Sequence, residues 1–186
     1  PDDGNEAARA LRRALEAGHM KPEASLLPLI WSNLDNTDRV IRSAARIALE
    51  HQPVDRWADK ALAEANPSKA TAALVALMRV SASDPAHRKP GDKEPSAELK
   101  AKLFEAMGKL QAGWDKATEQ ARADLLRAYA ILCVRYGAPD ESTRASLLEA
   151  FEPRFPTNQR LVDGDFAAFL VFLQAPGAAK KITSLL

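Results

Sequence analysis

The sequence predicts an all-α protein built from consecutive helical hairpins, and three observations carry that prediction. The first is composition. The 186 residues include 36 Ala and 23 Leu but only 12 Val and Ile together. Ala and Leu give up little side-chain freedom in a helix, whereas the β-branched residues that favour strands are scarce. The second is a run of segments with helical apolar spacing, each bounded by a capping residue, a Pro or a Gly. The third is internal similarity. At an offset of 29 residues, Thr37 aligns with Asn66, Ala44 with Ala73 and Ile47 with Ala76. Small residues at such spacings let stacked helices approach closely.

Each helix has its own signal. Asn5 to Gly18 places Ala8, Leu11 and Leu15 on one stripe, with Arg9, Arg12, Arg13 and Glu16 elsewhere. Pro22 opens a second helix through Leu26, Leu27, Leu29, Ile30 and Leu34. Pro28 lies inside it, and its missing N–H must kink the helix or shift its start. Asn36 or Thr37 caps a third helix that runs to His51, ahead of Pro53. A fourth covers Val54 to Ala65, and Asn66-Pro67 caps and starts a fifth that continues through Val80. Helices resume at Ser96–Leu110, Thr118–Tyr136, Asp140–Phe151 and Arg160–Leu173, with a short last one from Ala178. Gly137-Ala138-Pro139 and Ala175-Pro176-Gly177 are stops.

Between Val80 and Ser96 the rhythm breaks. Ser81 to Pro95 reads SASDPAHRKPGDKEP, a polar segment with three prolines and charges of both signs. Connections this long are uncommon in compact domains and often carry function. His87, Arg88 and Lys89 within it are the candidate partner-contact residues. Residues 1–186 otherwise read as one repeat domain. Its N-terminal Pro1-Asp2-Asp3-Gly4 is neither an initiator Met nor a signal peptide, so the chain is expected to be a piece of something longer.

The stretch from Leu26 to Leu49 resembles the HEAT repeat. Leu26-Leu27-Pro28-Leu29-Ile30 leads to Leu34 and a polar turn with Asp35 and Asp38. Ile41-Arg42, Ala44, Ala45, Ala48 and Leu49 then match the family's Val-Arg-x-Ala-Ala-x-x-Ala-Leu pattern. The signature covers about 25 residues in the alternating hairpin rhythm that such repeats show. Lys69-Ala70-Thr71 replaces the Val-Arg element in the next hairpin, and from Asp115 onward only the hairpin rhythm matches. The resemblance implies a right-handed α-α superhelix, a HEAT-like solenoid of about four to five hairpins, armadillo-like in architecture. It also implies an inter-repeat role for Asp38 and Arg42, which the i, i+4 spacing further suits to a local ion pair. Residues 37 to 90 are similar to a HEAT-type segment of large planctomycete-type proteins, where it lies between a β-propeller and a C-terminal c-type cytochrome domain. That resemblance implies an exported parent protein and a periplasmic or extracytoplasmic location. The residues themselves do not specify a compartment.

The chemistry-bearing residues point away from catalysis. Cys133 lies in an apolar helical run and reads as a small buried hydrophobe, and no Cys-x-x-Cys-His is present. His19 and His51 close helices, where a cation complements the helix dipole. Asp140/Glu141 and Asp163/Asp165 lie at helix starts for the same reason. No nucleophile elbow, phosphate loop or dinucleotide fingerprint occurs. No catalytic, cofactor-binding or metal-ligating residue is assigned, and no cofactor is expected. Trp31, Trp57 and Trp114 fall near helix ends. Phe166, Phe169 and Phe172 recur at i, i+3, i+6 as core, or as a docking surface wherever they are exposed. Lys and Arg number 26 against 25 Asp and Glu, a net charge of +1. Arg9, Arg12, Arg13, Arg39, Arg42 and Arg46 are interleaved with Glu16, Asp35, Asp38 and Glu50, which reads as a salt-bridged face. No apolar run approaches the roughly 18 residues of a membrane span.

The expected function is therefore a non-catalytic scaffold or protein-interaction module, with protein partners or flanking domains of the same chain. The alternative is a nucleic-acid-binding HEAT domain of the DNA-repair type. A third reading has the segment orient a haem domain for electron transfer.

Overall fold

The computed structural model describes residues 3–92 and 94–184; Pro1-Asp2, and Lys93 within the polar segment, lie outside the described residues. Among the described residues there are ten α-helices and no strand. Backbone packing divides the chain into two compact units, Pro1–Pro95 and Ser96–Leu186, so the boundary falls where the polar segment ends.

The first unit contains α1 (Asp3–Ala17), α2 (Leu27–Ser32), α3 (Arg39–Glu50), α4 (Ala58–Ala63) and α5 (Pro67–Ser81). Pro28 acts by shifting the start of α2. A helix running from Pro22 would set the proline ring against a carbonyl one turn back. The chain instead makes a 3-10 turn at Ala24–Leu26 and begins α2 at Leu27, with Pro28 in its first turn. The cap of α3 is Asp38, one residue beyond the expected Asn36 or Thr37. Its Oδ1 accepts the Val40 N–H at 2.7 Å, while Asn36 Oδ1 accepts the Asp38 N–H at 2.9 Å. Two short polar side chains thus close successive turns and deliver the chain into the helix. Asn66 caps α5 as expected, accepting the N–H groups of Ser68 and Lys69.

Contacts between these helices fix their directions. The Gln52 amide after α3 bonds the Gly18 carbonyl after α1, so the two helices end together. Gly18 permits the approach: a Cβ there would lie 3.4 Å from the Ala48 Cβ and 3.3 Å from Leu26. Asp35 ahead of α3 accepts from Asn66 ahead of α5, and Glu50 at the end of α3 pairs with Arg79 near the end of α5. Hence α1, α3 and α5 run parallel in one layer, and α2 and α4 return the chain between them. Ala44, Ala45, Ala48, Ala70, Ala73 and Ala76 are all buried. The 29-residue offset seen in the sequence recurs as contact: Glu23 with Gln52, Trp31 with Lys60, and Glu50 with Arg79.

The second unit contains α6 (Ala97–Gln111), α7 (Glu119–Tyr136), α8 (Glu141–Phe151), α9 (Arg160–Phe172) and α10 (Ala178–Thr183). Ser96, Thr118 and Asp140 cap α6, α7 and α8 through their side-chain oxygens. Gly137, at φ +83°, ends α7 in a conformation that L side chains rarely adopt. Helices α7 and α9 are parallel: Glu119 accepts the Leu161 N–H near their starts, Arg127 pairs with Asp165, and Tyr129 stacks on Phe169 further along. The core is aromatic. Phe151 meets Trp114, Tyr129, Phe166 and Phe169 at ring-centroid distances of 5.4 to 5.7 Å, all edge to face. That arrangement sets the positive ring edge against the negative face.

Candidate functional site

The polar segment forms its own small turns. Asp84 Oδ1 accepts the Ala86 N–H at 3.0 Å and starts a 3-10 turn over Pro85–His87. Lys89 and Asp92 then close a second turn, with the Lys89 N–H donating to Asp92 Oδ2 at 3.0 Å and Gly91 at φ +96°. The three candidate residues engage separate partners. His87 Nδ1 lies 3.9 Å from Asp84, Arg88 reaches Glu94 at 3.4 Å, and Lys89 contributes its backbone to the turn. They are exposed and form no enclosed site.

Asp38 and Arg42 do not form the i, i+4 ion pair that their spacing suits. The Asp38 carboxylate is taken by the Val40 N–H, and Arg42 Nη1 donates to the Asn36 and Thr37 carbonyls at 2.6 and 3.0 Å. The orphan carbonyls of the turn offer Arg42 a fixed target, and the cap offers Asp38 one, so local backbone geometry outcompetes a solvent-exposed pair. Both residues therefore hold their own turn. Ties between successive hairpins come from residues the sequence reading did not assign. Asp35 binds Lys69 at 3.6 Å and Asn66 at 3.2 Å. Glu50 pairs with both Arg46 and Arg79. The Trp31 indole N–H donates to Glu64 Oε2 at 2.7 Å, and Lys60 sits 4.2 Å from the ring centroid. The Asn66 backbone N–H, with Trp31 assisting against partial burial, holds the Glu64 carboxyl below its usual range. The Arg-x-x-x-Glu spacing at 12/16 and 46/50 does form pairs, but within α1 and within α3, so it gave no signal for the ties between hairpins.

The other candidates resolve individually. His19 Nε2 donates to the Ala44 carbonyl at 2.9 Å and its ring stacks on His51, which caps the end of α3. Cys133 is buried, and that burial pushes its thiol up to about 12, which favours the protonated form. Asp140 accepts from Thr143 and Ser142, and Asp163 accepts the Thr157 N–H and hydroxyl. Phe166 and Phe169 are core, whereas Phe172 is 47% exposed beside Val171 at 57%.

An open cleft of about 520 Å³ lies between α6 and α8. One wall is Ala97, Lys100, Ala101, Phe104 and Glu105; the other is Asp140, Ser142, Thr143 and Ser146. Lys100 Nζ donates to the Ala138 carbonyl at 2.5 Å and so ties the start of α6 to the turn before α8. Hydrogen bonds from the Thr143 N–H and the Ser142 hydroxyl hold the Asp140 carboxyl below its usual range. The cleft is thus lined by one cation, Lys100, two carboxylates, Glu105 and Asp140, three hydroxyl side chains and the apolar Ala97, Ala101 and Phe104. Sequence reasoning missed it because no periodicity reports a gap between two helices.

Among the described residues no cluster of three or more His, Cys, Asp and Glu can hold a metal ion, and no helix is long and apolar enough to cross a membrane. The class defined is an all-α protein of two compact helical units, the second carrying an open cleft. No protein-family model matches the sequence, and no curated protein and no solved structure matches it.

Proposed function

We propose that the chain is a non-catalytic scaffold and protein-interaction module, built as a HEAT-like α-α superhelix. The observation that carries this reading is the first unit's parallel layer α1, α3, α5 with its return helices α2 and α4, in which contacts recur at 29-residue intervals: Glu23–Gln52, Trp31–Lys60 and Glu50–Arg79. Stacked hairpins of this kind bury a continuous core and present long faces on which partners dock. The likeness of residues 37 to 90 to a propeller- and cytochrome-linked segment extends the reading to spacing such domains in a longer parent. The full reading frame checks that extension, which requires a Cys-x-x-Cys-His downstream and a propeller upstream.

The experiment is reconstitution. Proteins captured on the immobilised chain are identified, purified and titrated against it, and a specific 1:1 complex with Kd below about 10 µM is expected. Turnover in a hydrolase and oxidoreductase substrate screen, lost on a single substitution, overturns the non-catalytic reading. Retention on DNA with a steep salt dependence moves the chain to the nucleic-acid alternative. The pairing of Arg12, Arg46 and Arg79 with Glu16 and Glu50 argues against that outcome.

A further inference from the structure

We propose that His19 and His51 form a two-histidine site for a borderline divalent transition-metal cation such as zinc, at the shared end of α1 and α3. No sequence spacing pairs these residues; the fold does. Gln52 draws the two helices to a common end, donating to the Gly18 carbonyl and accepting the Glu23 N–H. The imidazoles just beyond those ends then come to 6.2 Å between ring centroids, with their planes within 22°. The tautomer of His19 is fixed. Its Nε2 lies 2.9 Å from the Ala44 carbonyl oxygen, which only accepts, so in the neutral ring Nε2 carries the proton and Nδ1 keeps its lone pair. Metal-ligating histidines are oriented in the same way, one ring nitrogen donating to a carbonyl and the other left basic. Among the described residues no hydrogen bond engages His19 Nδ1 or either ring nitrogen of His51, and the His51 ring is exposed and can turn about its Cβ–Cγ bond.

The spacing of the rings fits a shared ion. Zinc–nitrogen bonds of about 2.0–2.1 Å set the ion about 3.2 Å from each ring centroid, so two rings on one ion have centroids at most about 6.4 Å apart. The 6.2 Å separation lies just inside that limit. Electrostatics also favours a cation here. Helices α1 and α3 end side by side, and each C-terminus carries a partial negative charge of about half an electron. Glu16 and Glu50, in the last turns, are already paired with Arg12, Arg46 and Arg79, so the draw comes from the backbone and the imidazoles. Imidazole nitrogen selects zinc-like ions over magnesium and calcium, which take oxygen ligands. Two protein ligands leave the remaining positions to water, and the ion clamps the end of α1 to the end of α3. The site is independent of the scaffold reading, and either can fail alone.

The test titrates zinc chloride into the full chain, ¹⁵N-labelled, while the imidazole nitrogens are followed through their long-range proton–nitrogen correlations. A saturable 1:1 response is expected at His19 Nδ1 and at one nitrogen of His51, with none at His87 and none when magnesium replaces zinc. His51→Ala, at an exposed position, should weaken zinc binding at least about tenfold. Zinc should also raise the melting temperature of the native chain and not that of His51→Ala, a readout that serves where ring signals overlap. No saturable shift up to about 1 mM zinc, shifts centred on His87, or an affinity unchanged by His51→Ala overturns the proposal.

Discussion

The two units solve the same packing problem with opposite side chains. In the first, the layer α1, α3, α5 is set close by fully buried Ala45, Ala48, Ala73 and Ala76 and by Gly18. Specific polar ties then fix how each hairpin sits on the last. In the second, α7 and α9 are held around an aromatic knot centred on Phe151, with Arg122 bonded to the Trp114 carbonyl and to Gln159 at its edge. Small residues gain contact by approach of the backbones; large rings gain it by area. The first arrangement is therefore expected to resist added volume, and the second loss of it.

Substitutions in opposite directions break this comparison. The largest effect is expected from Phe151→Ala, which removes a ring touching four others and leaves a cavity, at a cost of about 3–5 kcal/mol. Denaturant unfolding followed by the fluorescence of buried Trp114 reads it; a loss under about 1 kcal/mol would mean that the knot is not the core of its unit. Next comes Ala73→Leu, at a fully buried position of α5. Overpacking there should cost about 1–3 kcal/mol, measured as a fall in urea midpoint. A neutral result would show that the alanine layer has slack.

Smaller effects sharpen the same contrast. Glu64 ties two hairpins most strongly while ionised, and its carboxyl is held below the ordinary value of 4.5. A depressed folded-state value makes the tie contribute stability above that value. The contribution is lost as pH falls through the lower folded value. Acid titration of Trp31 fluorescence should therefore show a transition below pH 4.5 that Glu64→Gln removes. The smallest change, and the only one of opposite sign, is Tyr129→Phe. The Tyr129 hydroxyl is buried without a hydrogen-bond partner, and burial raises its ionisation well above the usual phenol range. Removing it deletes an unsatisfied polar group and should leave thermal stability unchanged or raise it by up to about 1 kcal/mol. A clear drop in melting temperature would show that the hydroxyl has a partner in solution.

Much of the helical order was legible because helix ends are written in single residues. Asn66, Thr118 and Asp140 each accept backbone N–H groups at the starts that the sequence marks. Where two short polar residues competed, at Asn36 to Asp38, the cap moved by a residue, since each can close a turn and only three-dimensional fit selects one. Arg42 shows the same limit. Its spacing from Asp38 is that of an ion pair, and the carbonyls it binds instead are invisible to spacing.

The sequence by itself determined the all-α class, the boundaries of the longer helices to within a few residues, the burial of Cys133 and the 29-residue recurrence, because each rests on local propensity or on one face of one helix; the short helices α2 and α4 begin four to five residues later than expected. Tertiary structure decided which carboxylate meets which cation, which rings converge on Phe151, that Trp31 meets Glu64 and Lys60, and that a cleft lies open between α6 and α8. Those facts depend on distances between segments about 15 to 40 residues apart, which chain connectivity permits and packing alone selects.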